Sequence, residues 1–163
     1  MTFASLKPAG TKREIYSDLA LAARGLFKYE RDAIANAANL SSLIFNGLDD
    51  LNWAGFYFLK NGILVLGPFQ GNPACVRIEM GKGACGTAAA KRETLIVEDV
   101  EKFPGHIACD VASRSEIVVP LVKDGKVLGV LDIDAPIRGR FDDDDRNGIE
   151  TLAKLWLDAT SDL

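Results

Sequence analysis

The residues in this 163-residue chain best suited to chemistry are three cysteines, Cys75, Cys85 and Cys109, and the single histidine, His106. All four fall in one stretch broken by glycine and proline, which reads as loop rather than regular structure. A loop gives a thiol the access it needs to ionise and react. Cys85 sits in "GKGACGTAAA", near the start of a short predicted helix, where the helix terminus lowers a thiol's pKa. Cys109 lies in "FPGHIACD"; the following Asp110 disfavours a thiolate, and Arg114 is close enough in sequence to offset it. Cys75, Cys85, His106 and Cys109 also supply the ligand types of a structural zinc site. Their spacing argues against one, because the ten-residue step from Cys75 to Cys85 is not the short knuckle such sites use. For each thiol the competing reading is a small buried hydrophobe. For His106 it is a hydrogen-bonded structural residue.

A second group is carboxylic. In "KVLGVLDIDAP", Asp132 and Asp134 are two apart on a predicted strand, so they share a face with Leu128 and Val130. Val127, Leu131 and Ile133 take the other face. Two apolar faces mean a buried central strand, where a carboxylate is costly unless it has a partner or a task. The competing reading is a strand end that emerges into water. Glu116, in "SEIVVPLV", joins the pair only in one hairpin register. A two-residue turn at Asp124-Gly125 sets Glu116 opposite Ile133 and away from the aspartates. A three-residue loop, Lys123-Asp124-Gly125, sets it opposite Asp132. A shared carboxyl cluster therefore predicts the three-residue loop, unless a strand bulge intervenes.

These groups need a frame. Ile15, Leu19, Ala22 and Leu26 repeat with the period of one helix face, as do Ala33, Ala37, Leu40 and Ile44 before a stop at Asn46-Gly47. "LNWAGFYFL" and "ILVLGPF" read as a hairpin around Lys60-Asn61-Gly62. A short helix over 84–91 and a strand "TLIVE" follow, then the hairpin that carries Glu116 and the aspartates. A last helix shows Ile149, Leu152, Ala153 and Trp156 on one face, and the acidic run "FDDDD" at its N-terminus suits the helix dipole. Helices, strands, an irregular middle, strands and a helix make an α+β domain with an antiparallel sheet.

Composition excludes other classes. A hydrophobic content of 48% supports a real core, and a net charge of −4 speaks against nucleic acid or an anionic membrane as partner. The N-terminal stretch has no apolar signal region, and no apolar run approaches the roughly 20 residues of a membrane span. The expectation is a single cytoplasmic domain with no membrane partner. An odd number of cysteines there points to free, catalytic or metal-bound thiols rather than a disulfide framework.

The segments "LNWAGFYFL", "LVLGPFQGNPACVRI", "GKGACGTAA", "VEDVEKFPGHIACDVASRSEIVVPL" and "GVLDIDAP" followed by "RFDDDD" closely resemble the free methionine-(R)-sulfoxide reductases, small enzymes of the GAF fold. The resemblance covers roughly residues 13–160. It implies a six-stranded antiparallel sheet with helices on one face and a ligand pocket on the other. A single domain would span 1–163, with 1–12 as a flexible N-terminal segment. It implies free L-methionine (R)-sulfoxide as substrate, Cys109 as nucleophile and Cys75 as the thiol that resolves it in a redox disulfide. Cys85 would be an auxiliary thiol able to form an alternative disulfide. Trp53, Tyr57, Glu116, Asp132 and Asp134 would line the substrate pocket. In the chemistry that follows, Glu116 or Asp134 protonates the sulfoxide oxygen, Asp132 holds the ammonium group and Trp53 packs on the S-methyl group. The resemblance further implies thioredoxin as reductant, no metal or organic cofactor, and a homodimer built on the N-terminal helices. The alternative, from a different class, is a non-catalytic GAF module that binds a small molecule or senses redox state.

Overall fold

A computed structural model describes residues 7–107 and 109–161. Helices α1 (Lys12–Phe27) and α2 (Ala33–Gly47) come first. Thr11 accepts from the Glu14 amide while the Glu14 side chain returns to the Thr11 amide, a reciprocal cap that fixes the start of α1. Of the expected flexible segment 1–12, residues 1–6 lie outside the described residues, and Thr11 and Lys12 already belong to this helix start.

Strands β1 (Trp53–Lys60) and β2 (Ile63–Gly71) form the first hairpin. Its turn is Asn61-Gly62, both at positive φ, as a two-residue hairpin turn requires. Then come β3 (Arg77–Glu79), α3 (Gly83–Lys91), β4 (Leu95–Val97), a 3-10 turn over Val100–Lys102, β5 (Ser115–Lys123), β6 (Lys126–Ala135) and α4 (Asp143–Ala159). The strands make one antiparallel sheet in the order β3-β2-β1-β6-β5-β4. Strand β3 is too short to show a period in the sequence.

Helices α1, α2 and α4 cover one face. Ala54, Phe56, Phe58, Ile117, Leu131 and Ile133 point from the strands into this apolar core, where the rings of Phe56 and Phe58 pack on Trp156. The expected inner faces of α2 and α4 are both buried. That of α1 is rotated by about one residue: Tyr16, Leu19, Ala20, Ala23 and Phe27 are inside, and Ile15, Ala22 and Leu26 lie on its flank. The rotation follows from Tyr16. Its ring crosses α4 at Gly148, where a Cβ would clash at 2.1 Å, and its hydroxyl donates to the buried Asp145 at 2.8 Å.

The helices are not confined to one face. Helix α3 packs on the other, placing Ala84, Cys85, Ala88 and Ala89 in a second cluster with Val118 and Val130. Its small side chains let the helix backbone lie close to the sheet, and so bring Cys85 against the strands that carry the carboxyls.

Candidate functional site

The β5–β6 hairpin decides whether the carboxyls meet. Its turn is the two-residue form, with Lys123 opposite Lys126, so the three-residue loop is corrected. The register then shifts: Val122 pairs with Val127 but Leu121 with Gly129, leaving Leu128 as the extra residue of a bulge. The shift sets Glu116 opposite Asp134, rather than opposite Ile133 or Asp132. It also exchanges the sides of the residues before it. Val127 packs on the site face and Leu128 on the helix-covered core, the reverse of plain alternation. Gly129 makes this possible. A Cβ there would lie 2.0 Å from the Tyr57 carbonyl oxygen, so only glycine lets β1 and β6 approach at the bulge.

Beyond the bulge, Asp132 and Asp134 are buried rather than emerging into water, with exposures of 6% and 9%; Glu116 is at 7%. Oxygens of the three carboxyls lie within 4.8 Å of one another. None of the ion pairs among the described residues reaches them. One oxygen of each, Glu116 Oε1, Asp132 Oδ1 and Asp134 Oδ1, has no hydrogen-bond partner. Burial and the neighbouring Asp132 and Asp134 raise Glu116 well above the ordinary carboxyl range. Burial and Asp134 do the same to Asp132. Asp134 is pushed up to about 6 by burial, held back by hydrogen bonds from Glu116 and Ser113. The cluster thus keeps protons near neutral pH, because three charges at this separation without a cation are too costly.

Cys75 and Cys109 are joined in a disulfide, with their Cα atoms 5.2 Å apart. Two of the four ligands of the zinc reading are thereby taken up by each other. Cys109 lines a small cavity together with Cys85, His106, Asp110, Ser113 and the three carboxyls, whereas Cys75 is not on its wall. Cys85 is a free thiol, buried on the α3 side. Its pKa is raised, not lowered: burial and the charges of Asp132 and Glu116 outweigh the helix terminus. His106 is a cavity residue whose pKa is lowered by partial burial.

Trp53 stands opposite Asp134, and Tyr57 opposite Val130 on the same face. Both are buried behind the cavity wall rather than on it, with Trp53 stacked on Tyr57 and Phe69. The Trp53 indole donates to the Asn72 carbonyl at 3.1 Å, tying β1 to the loop that carries Cys75. The phenol of Tyr57 is raised by burial and by the nearby Asp132 and Cys85, so it is held as a neutral donor.

A family model described as the GAF domain matches residues 13–155. Over 141 residues the chain is 52% identical to the free methionine-R-sulfoxide reductase of Escherichia coli, a match covering 86% of each chain. The chain belongs to the free methionine-(R)-sulfoxide reductase family of GAF domains. The corresponding reductase of Saccharomyces cerevisiae is 49% identical over 152 residues, 88% of this chain and 84% of that one. Among solved structures, the free methionine-R-sulfoxide reductase of Neisseria meningitidis in complex with its substrate superposes with a TM-score of 0.91 at 40% identity, covering 96% of this chain and 94% of that one.

In this member of the family, residues that sequence reasoning passed over hold the Cys109 loop. Asn52, just before β1, donates through Nδ2 to Asp110 Oδ2 at 3.1 Å and to Ser113 Oγ at 3.0 Å. Its own amide donates to the Asp134 carbonyl, so the loop is anchored to the carboxyl-bearing end of β6. Asp110 also accepts from the Ala112 amide, and these hydrogen bonds keep it ionised, with its pKa lowered. The Arg114 guanidinium donates to the Val111 and Ser113 carbonyls, so it braces this loop. The only sequence signal for Asn52 is its place beside the aromatic strand, which carries no period.

Proposed function

We propose that this protein reduces free L-methionine (R)-sulfoxide to L-methionine by thiol chemistry. The observation that carries the reading is a disulfide whose Cys109 lines a cavity floored by three buried carboxyls of raised pKa. Cys109 faces those carboxyls and is the nucleophile. Its thiolate attacks the sulfoxide sulfur while a proton shared in the carboxyl cluster passes through Glu116 or Asp134 to the oxygen. The hydroxyl then passes from the substrate sulfur to Cys109 Sγ as the S–O bond and the new S–S bond break, releasing methionine and leaving a sulfenic acid on Cys109. Cys75 attacks that sulfur, releases water and forms the disulfide. Asp132 holds the substrate ammonium, and the orphaned oxygens of the cluster supply the acceptors such a cation needs. Trp53 and Tyr57 back the methyl end of the site, with Trp53 packed towards the S-methyl group.

With the disulfide closed, the cavity measures about 30 Å³, room for about one or two waters. Substrate therefore enters after reduction releases the Cys109 loop. Thioredoxin is the reductant in this reading, and no cofactor is invoked. Cys85, which lines the same cavity as Cys109, is the auxiliary thiol in this reading. Exposed Leu21 on α1, Tyr29 between the helices and Ile34 at the start of α2 support pairing of the N-terminal helices in a homodimer, which light scattering tests. No helix among the described residues is long and apolar enough to cross a membrane, and the reading places the protein in the cytoplasm, where thioredoxin operates.

The test is turnover of the separated R and S epimers of free methionine sulfoxide with thioredoxin and its reductase. The R epimer is consumed and methionine appears. No consumption by folded, pre-reduced protein overturns the reading.

A further inference from the structure

Among the described residues, seven large apolar side chains are exposed, and three of them lie within two residues of a disulfide cysteine. Val76 is 57% exposed and adjoins Cys75; Ile107 and Val111, at 38% and 84%, each lie two residues from Cys109. The two sulfurs are not equivalent. Cys109 and Ile107 line the inner cavity, while Cys75 is not on its wall and adjoins the exposed Val76 in sequence.

We propose that Val76, Ile107 and Val111 form an apolar collar that docks a protein dithiol, and that the incoming thiolate attacks Cys75 rather than Cys109. This rests on the redox reading above and adds the surface and the point of attack. A disulfide has to be opened by a thiolate arriving in line with the S–S bond; Cys109 lines a cavity of about 30 Å³, too small to admit a protein thiol, whereas Cys75 is off that wall. Apolar contact around the point of attack suits a partner that buries surface, and offers nothing to a small charged thiol. In the step, the reductant sulfur bonds to Cys75 Sγ and the S–S bond breaks. Its electron pair stays on Cys109 Sγ, which departs as a thiolate into the cavity. The second thiol of the reductant then attacks its own partner in the mixed disulfide. Cys75 leaves as a thiolate, and the reductant ends as a disulfide, having supplied two electrons.

The step is trapped by mixing oxidised protein with a thioredoxin whose second active-site cysteine is replaced by serine. Peptide mass spectrometry is expected to find the partner bonded to Cys75, with Cys109 open to alkylation; a bond to Cys109 overturns the assignment. Val76→Asp and Val111→Asp together lower kcat/KM for thioredoxin by about tenfold or more. Reduction by dithiothreitol and the single-turnover yield of methionine stay unchanged. Equal slowing with both reductants, or no slowing with thioredoxin, removes the collar from the account. The exchange assay contains no sulfoxide, so it succeeds or fails independently of the reductase reading.

Discussion

The two faces of the sheet carry opposite designs on the same strands. On the helix-covered face, Leu131 and Ile133 of β6 meet Phe56 and Ile117 in a core of apolar side chains. One residue away, Asp132 and Asp134 point to the other face, where three carboxyls and the Cys85 thiol are buried with no counter-ion among the described residues. Burying a large aliphatic side chain stabilises by roughly 1.5–3 kcal/mol, whereas burying an unpaired carboxyl destabilises. The first face holds the molecule together; the second spends part of that stability to keep protons and thiols where a sulfoxide can meet them.

Substitutions on each side should separate the two roles. The largest effect is expected from Cys109→Ser, which abolishes methionine formation in a single turnover while leaving the melting temperature of the reduced protein nearly unchanged. Cys75→Ser should give one turnover and then stall with thioredoxin; loss of the first turnover would reverse the two roles. On the other face, Leu131→Ala should lower unfolding free energy by about 2–5 kcal/mol in urea titrations, with the activity of the remaining folded protein retained. Gly129→Ala tests the link between the faces. Its Cβ would strike the β1 backbone, costing roughly 1–3 kcal/mol and displacing the carboxyls, so stability and activity fall together.

The smallest effect is one of pH, and its sign differs between the two regions. Asp134, raised to about 6, binds its proton more tightly when folded. The fold is thus favoured at low pH, and this contribution is lost as pH rises from the ordinary value of 3.8 through about 6. Asp142, at the start of α4, is lowered to about 2 by Lys12. Its contribution is present above 3.8 and lost as pH falls through about 2. Urea midpoints measured across that range should show Asp134→Asn flattening the decline on the alkaline side and Asp142→Asn the decline on the acid side. The same slope in both variants would remove the contrast.

Much of the frame was legible in residue spacing. The period of α2 and α4, the acidic start of α4 and the two hairpins all follow from local pattern and turn chemistry. The buried face of α1 departs from its residue period because Tyr16 is drawn inward by α4, a partner more than a hundred residues away in sequence. Residue types and the resemblance picked out Cys75, Cys109 and the carboxyls, but spacing alone supplied no pairing for the thiols. The thiol of Cys85 runs against its helix-terminus position because that effect is local, while its burial and the charges facing it from β5 and β6 are set by the tertiary fold. Asn52 had only its place beside the aromatic strand as a signal, since its work is done across 58 residues of chain on Asp110.

By itself the sequence determined which groups could do chemistry here: thiols in a glycine- and proline-broken stretch, and carboxyls alternating with aliphatic residues on one strand. A strand period is enough to state which side chains share a face. Whether Glu116 joins the aspartates was decided only in three dimensions, by the bulge at Leu128 and Gly129. One inserted residue moves every later pairing by one position, and what tolerates it is the missing Cβ of Gly129 against β1, a contact no local pattern encodes.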